Sequence, residues 1–334
     1  MRPSPEPLER LEYDVDGLMA LHPPVWRHPN KAAVFAVACP PGTVHRGRIC
    51  YTRWPTLPLP DAIDPAVVPA DVVERPGFYD YAPVLEPGAG VEWHVNFADP
   101  HLFVAYGSSL FAQDELQVAE HPVLGALKEA LASGRHPALT VDTGSPTPVL
   151  VTGVPRRCAV STDPDPGLGR PDGLYGAAFS RAVPRMVREA CVPVEPPTLT
   201  NVLAMAAPRG GRGEYRRDEI VAVLTTALTG FRAAVVESSR AMGPGTAVAV
   251  HSGFWGCGAF GGNRTLMALL QWIAADMAGI DLLVLHTADP AGPAAYAAAV
   301  DSRDDLARAG VSDTGRLIER VEAMGFEWGM GDGT

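Results

Sequence analysis

Residues 251–272 read "HSGFWGCGAFGGNRTLMALLQW" and hold a Gly-x-Gly-x-x-Gly pattern at Gly256, Gly258 and Gly261. An apolar run, "TAVAVH" (246–251), precedes the loop, and a helical pattern over 264–278 follows it. Asn263 is placed to cap that helix. The first N–H groups of a helix lack internal partners, and the macrodipole adds positive charge there. Glycines let a phosphate approach such a backbone without meeting a Cβ. The pattern therefore suits a loop that cradles a diphosphate, of the Rossmann kind or another. The bland alternative is a tight turn with close helix–strand packing.

Working outward, "TAVAVH" and "DLLVLH" (281–286) are continuous apolar runs, as parallel strands covered on both faces require. "VEWHVNFAD" (91–99) alternates like a strand, and "PVLVTGV" (148–154) and "TNVLAMAAP" (200–208) also read as strands. "HPVLGALKEALASG" (121–134) predicts a helix closed by Gly134. Val221, Leu224, Leu228, Phe231 and Val235 share one face of a long helix expected over about 215–241, and 313–325 predicts a short one. Residues 161–175 are a loop by every local signal. Residues 1–90 are proline-rich, and the run "AAVFAVAC" (32–39) reads as strand or irregular structure. The expectation is an α/β protein with a mostly parallel sheet.

The 334-residue chain is 47% hydrophobic and 19% charged, hence folded, and its 27 basic and 38 acidic side chains leave a net charge of −11. So acidic a chain is a poor non-specific nucleic-acid binder, and an anionic ligand must be held by backbone N–H groups or a few placed arginines. The five cysteines show no Cys-x-x-Cys pair, and neither a disulfide framework nor a zinc finger is indicated. The first residues, "MRPSPEPLERLEYD", lack the apolar core of a signal peptide, and the apolar stretch near 266–275 is broken by Gln271 and Asp276, too soon for a membrane span. A cytoplasmic protein without membrane contact is expected.

The Rossmann reading fits poorly. Its acidic residue should close the second strand, whereas Asp281 opens that strand and Asp289 lies beyond its end. Trp255, Cys257 and Phe260 are also bulky for that fingerprint. "GFWGCGAFGGN" followed by "LMALLQW" instead resembles the phosphate loop of the poly(ADP-ribose) glycohydrolase family, unbroken over Trp255–Gly262 with Gln271 in frame. A second motif of that family has a counterpart upstream in the right order. "VNFAD" (95–99) precedes "PHLFVAYGSSLFA" and then "QDE" (113–115), with Phe103, Val104 and Ala105 where the family carries three glycines.

The resemblance implies a three-layer α/β/α macrodomain-like fold, with a mostly parallel mixed sheet, over residues 91–334, and residues 1–90 as an N-terminal accessory region packed on it. It implies hydrolysis of an ADP-ribosyl O-glycosidic bond, with Glu115 as general acid/base and Asp114 placing ribose hydroxyls. Asn96, Asp99 and Gln113 would bind ligand, and Gly256, Cys257, Gly258, Ala259, Phe260, Gly261 and Gly262 would line the diphosphate site. The implied partner is ADP-ribose or an ADP-ribosylated protein, and the chemistry needs neither metal nor cofactor. The sequence departs from the family at the missing glycine triad, at Asn96 and Asp99, whose residue types are exchanged, at Asp114 for Glu, and at Thr287, where the family places an adenine-stacking Phe. A module that holds ADP-ribose without turnover is the alternative. His94 and His101 beside Asp99 show no metal-ligand spacing and read as loop or core residues.

Overall fold

The computed structural model describes residues 5–63 and 68–331. The first ninety residues supply β1 (Glu9–Asp14), α1 (Val15–Leu21), α2 (Pro29–Ala38), β2 (Arg48–Arg53) and β3 (Asp71–Arg75). There follow β4 (Gly90–Ala98), α3 (Gln113–Glu120), α4 (Val123–Ser133), the short pair β5 (Val141–Asp142) and β6 (Ser145–Pro146), and β7 (Val149–Val160). Then come α5 (Ala177–Arg181), α6 (Pro184–Glu189), β8 (Cys191–Ala206), α7 (Arg217–Met242) and β9 (Ala247–Gly253). The chain continues with α8 (Arg264–Ala278), β10 (Leu282–His286), α9 (Gly292–Arg308) and α10 (Thr314–Ala323).

Eight strands form one mixed sheet in the order β1-β2-β7-β8-β4-β9-β10-β3. β8, β4, β9, β10 and β3 run parallel, and β1, β2 and β7 join antiparallel at one edge. Alternate residues of β8 enter different cores. Leu203 and Met205 pack with α7 and α8, whereas Val202 and Ala204 pack with α1 and α4. Helices thus cover both faces, and the architecture is the expected three-layer α/β/α arrangement. The strands of residues 1–90 lie at both edges of this sheet, so position 90 falls within one continuous layer.

Where the reading of the sequence differs from the structure, the cause is physical. The run 32–39 is not strand or irregular but most of helix α2. Pro29 opens that helix, and the His28 ring accepts from the Asn30 amide at 3.3 Å. Asn30, Lys31, Ala33, Val34 and Ala38 are all buried, so α2 shows no clean amphipathic period. β7 and β8 run beyond their expected bounds as a bulged antiparallel pair, which polar and proline residues such as "PVEPPT" disguise. α7 is long and apolar enough to cross a bilayer, yet two-thirds of its most apolar window is buried, as in a core helix.

α8 begins where expected. Asn263 caps it, its Oδ1 accepting from the Leu266 amide at 3.1 Å, while its Nδ2 ties down the Glu327 carbonyl at 3.0 Å. Replacing Asn263 by Ala is expected to lower stability by about 1 kcal/mol in a urea titration; an unchanged midpoint would contradict the cap's role.

Candidate active site

A cavity of about 480 Å³ opens at the C-terminal ends of the parallel strands, where Phe97, Ala98, Ala207, Gly253 and His286 contribute to its walls. Asp99, Gln113, Asp114 and Glu115 line one side, and Gly256, Cys257, Gly258, Ala259 and Phe260 line it as well. The two motifs read from the sequence therefore face one space. Asn96 does not line it: it is buried behind, its Nδ2 donating to Asp114 Oδ1 at 3.0 Å. Gly261 and Gly262 do not line it either. At Gly261, with φ of 67°, a Cβ would meet the Gly329 carbonyl and the Gly331 amide nitrogen at 2.9 Å, so that glycine serves the packing of the C-terminal segment.

The acid side is built by the first turn of α3. Glu115 Oε2 accepts from the amide of Ala112, the helix's N-cap residue, at 3.0 Å. The Gln113 side chain accepts from the Phe97 amide at 2.7 Å and donates to the Val95 carbonyl at 3.1 Å, fastening the helix start to the end of β4. Asp114 and Glu115 are both buried. Burial, then the negative charge of Glu115, pushes the Asp114 carboxyl up to about 8 against the pull of Asn96 and Lys31. Asp114 therefore keeps its proton at neutral pH.

The opposite wall is held by its own network. At Gly256, with φ of 78°, a Cβ would stand 2.5 Å from that of Ala207. Gln271 Nε2 donates to the Gly253 carbonyl at 2.9 Å, and its Oε1 accepts from Ser252, so α8 fixes the strand end from which the loop departs. Burial pushes the Cys257 thiol up, away from nucleophile chemistry at neutral pH. Arg264, at the start of α8, lines the cavity and pairs with Asp289 through two contacts of 2.8 and 2.6 Å. Arg209 bridges the two loops: it donates to Asp99 at 2.7 Å and stands over the Phe260 ring at 5.7 Å.

The replaced glycine triad does not close the cavity. Phe103 keeps a left-handed φ of 52°, but its side chain is fully buried in the core with Leu102 and Leu124. Burying a Phe gains roughly 1.5–3 kcal/mol, enough to offset the roughly 1–2 kcal/mol cost of that backbone state. Val104 and Ala105 line the cavity. Thr287 is buried outside it; the aromatic groups that line it are Phe78, Tyr79, Tyr81 and Tyr175, along with Phe97 and the loop's own rings. Phe78 stacks on Tyr175 with centroids 5.3 Å apart. The sequence reading missed this wall, since residues 76–89 follow no periodic pattern. Its one signal is the density of aromatics in "GFYDYAP" (77–83).

His94 lies between Tyr81 and His251, with centroids at 4.7 and 4.3 Å, and burial pushes its pKa well down. His101 is exposed beside Asp99. Among the described residues no group of three or more His, Cys, Asp and Glu side chains could hold a metal. The Rossmann alternative lacks its acidic grip, because β10 ends at His286, Asp281 accepts from the Val248 amide at 2.8 Å and Asp289 is taken by Arg264.

Residues 192–291 match the family model described as poly(ADP-ribose) glycohydrolase (PARG), macro domain fold. This segment is similar to the PARG macro domain. It contains the glycine loop and excludes Asp114 and Glu115, which lie upstream. Among solved structures, the chain is similar to the PARG of Thermomonospora curvata, at 17% identity over 82% of this chain and 99% of that one, with a TM-score of 0.49. It is also similar to the PARG of Deinococcus radiodurans in complex with ADP-ribose, at 11% identity over 88% and 94%, with a TM-score of 0.42. No curated protein matches the chain.

The proton on Asp114 has a measurable sign. A carboxyl whose folded pKa is raised binds more protons in the native state, so its contribution falls as pH rises from about 4 towards 8. Lys31, pushed down to about 7, adds the opposite slope above that pH. Asp114→Asn should therefore gain stability relative to the parent between pH 5 and 7 in thermal melts. A constant difference across that range would contradict the raised pKa.

Proposed function

We propose that this protein hydrolyses an ADP-ribosyl O-glycosidic bond, taking ADP-ribose units from poly- or mono-ADP-ribosylated protein. The observation that carries the reading is that the Asp114–Glu115 pair and the glycine loop line one cavity. The loop's amides and the N-terminus of α8 suit a diphosphate, as an acidic protein needs. The N-terminus of α3 brings the carboxyls to the same space.

In this reading Glu115 is the general acid/base. As the bond from the anomeric carbon to the leaving oxygen breaks, the carboxyl gives that oxygen a proton and the ribose passes through an oxocarbenium-like state. A water then adds to the anomeric carbon, and its proton returns to the carboxylate. The products are ADP-ribose with a free anomeric hydroxyl and the acceptor with its hydroxyl restored. Asp114 and Asp99 orient ribose hydroxyls or the water. The match of residues 192–291 to the PARG family supports the substrate class. A reader without turnover is the second reading, favoured by Val104, half-exposed where the family has bare glycine.

Release of ADP-ribose from an ADP-ribosylated protein, followed by chromatography, tests the proposal. Glu115→Gln should lower the rate by about 10²–10⁴-fold and keep ADP-ribose binding in calorimetry. Binding without turnover in the parent protein selects the reader. No heat at millimolar ADP-ribose rejects both readings.

A further inference from the structure

His251, on β9, is fully buried, and both of its ring nitrogens are engaged. Its Nε2 lies 2.8 Å from Glu92 Oε2 on β4, and its Nδ1 lies 3.2 Å from His286 Nε2 on β10. The other nitrogen of His286, Nδ1, lies 3.2 Å from the Phe78 carbonyl. The strand register puts the three side chains on one face of the sheet: Glu92 is opposite Ala249 and His286 opposite Gly253, each two residues from His251. The second oxygen of Glu92, Oε1, accepts from the Val84 and Leu85 amides at 2.9 and 2.8 Å. This three-residue bridge therefore holds both ends of residues 78–85, the irregular segment that carries Phe78, Tyr79 and Tyr81 to the cavity.

The bridge fixes a proton count. A carbonyl only accepts, so His286 Nδ1 carries a proton. Burial, then the charge of His251, pushes the His286 pKa down to about 4, so that ring is neutral and its Nε2 accepts. His251 Nδ1 is then the donor between the two rings. The contact with Glu92 needs a third proton, which two neutral imidazoles do not have. Against the burial that would raise it, bonds from His251, Leu85 and Val84 hold the Glu92 carboxyl below its ordinary value, so the third proton belongs on His251. The other groups around the bridge leave this count unchanged. His94 stacks on His251 and is kept neutral by burial, and Tyr79 donates to the His251 carbonyl. Asp80, which also reaches His286, is paired with Arg75, and Arg156, which reaches His94 along with the neutral His121, is paired with Glu120.

We propose that Glu92, a doubly protonated His251 and His286 form a charged clamp that positions the aromatic wall of the cavity. Glu92 and His251 do not line the cavity, and His286 reaches it with both nitrogens engaged, so all three are positioning residues. Nitrogen NMR of labelled histidine rings, assigned through bonds from the backbone, reads the count directly. At a pH of about 7.5, above the ordinary imidazole value of about 6.5, His251 should carry both ring protons and His286 only the one on Nδ1. Glu92→Gln keeps the shape: its Oε1 can still accept from Val84 and Leu85, and its amide can donate to His251 Nε2. In that variant His251 should hold a single proton, on Nδ1. A single ring proton on His251 in the parent overturns the proposal, whether or not the variant folds.

Calorimetry with ADP-ribose, between pH of about 7 and about 9.5, reads the wall; this arm rests on the ADP-ribose reading of the cavity, and the ring-nitrogen arm does not. As the parent loses the third proton, one contact of the bridge fails, and affinity should fall about tenfold. Glu92→Gln supplies that proton from its amide and should not show this loss. Asp114 titrates in the same range in both proteins, so the difference between the two profiles is the readout. Identical profiles overturn the positioning role. If the parent binds no ADP-ribose, that reading fails and the wall is followed through the ring-carbon shifts of Phe78 and Tyr79. These should move across the same range in the parent and stay in Glu92→Gln; unmoved shifts in the parent sink the clamp.

Discussion

The parallel pairing of β4 with β9 governs everything that follows. Gly90 to His94 lie opposite Ala247 to His251, so the two strands leave the sheet at the same edge and in the same direction. The chain segments after them, one leading to Asp114 and Glu115 and the other to the glycine loop, are therefore delivered side by side. The pairing is itself held from below. Trp93 and Val250 point into the α7–α8 core, and Trp93 Nε1 donates to Ser238 on α7 at 2.9 Å. Were β9 antiparallel to β4, the loop and the acids would lie at opposite ends of the sheet, and no side chain could compensate.

Two opposed electrostatic needs meet at that edge. The ligand side uses backbone dipoles, because a chain with a net charge of −11 has few cations to spare. On the acid side, burial and the neighbouring Glu115 make Asp114 a carboxyl that keeps its proton. Glu115 beside it accepts from the Ala112 amide at the start of α3. Arg209 spans the rim between the two regions without entering the buried pair.

The strongly periodic and punctuated parts of the chain were legible in the sequence. α8 runs over 264–278 with its cap at Asn263, and α7 and the central strands lie where apolar spacing put them. Both motifs were legible too, and the cavity brings most of their residues together. The exceptions have local causes. Asn96 points to the buried side of β4, opposite in phase to Phe97, and Gly261 and Gly262 are used by the C-terminal segment. α2 was illegible because burial on several sides erases the amphipathic stripe. The wall of Phe78, Tyr79 and Tyr81 was illegible because an irregular segment is placed by distant partners: Tyr79 donates to the carbonyls of Val95 and His251 at 3.0 and 3.1 Å.

The central claim is that the acid pair and the glycine loop are halves of one ligand site. Titration of the protein with ADP-ribose, followed by backbone amide NMR, tests it most directly. The account predicts that the amides of Asp114 and Glu115 and those of Gly256 to Phe260 shift together, along one binding curve with a single Kd. Shifts confined to one of the two segments, or two curves with different midpoints, would contradict it.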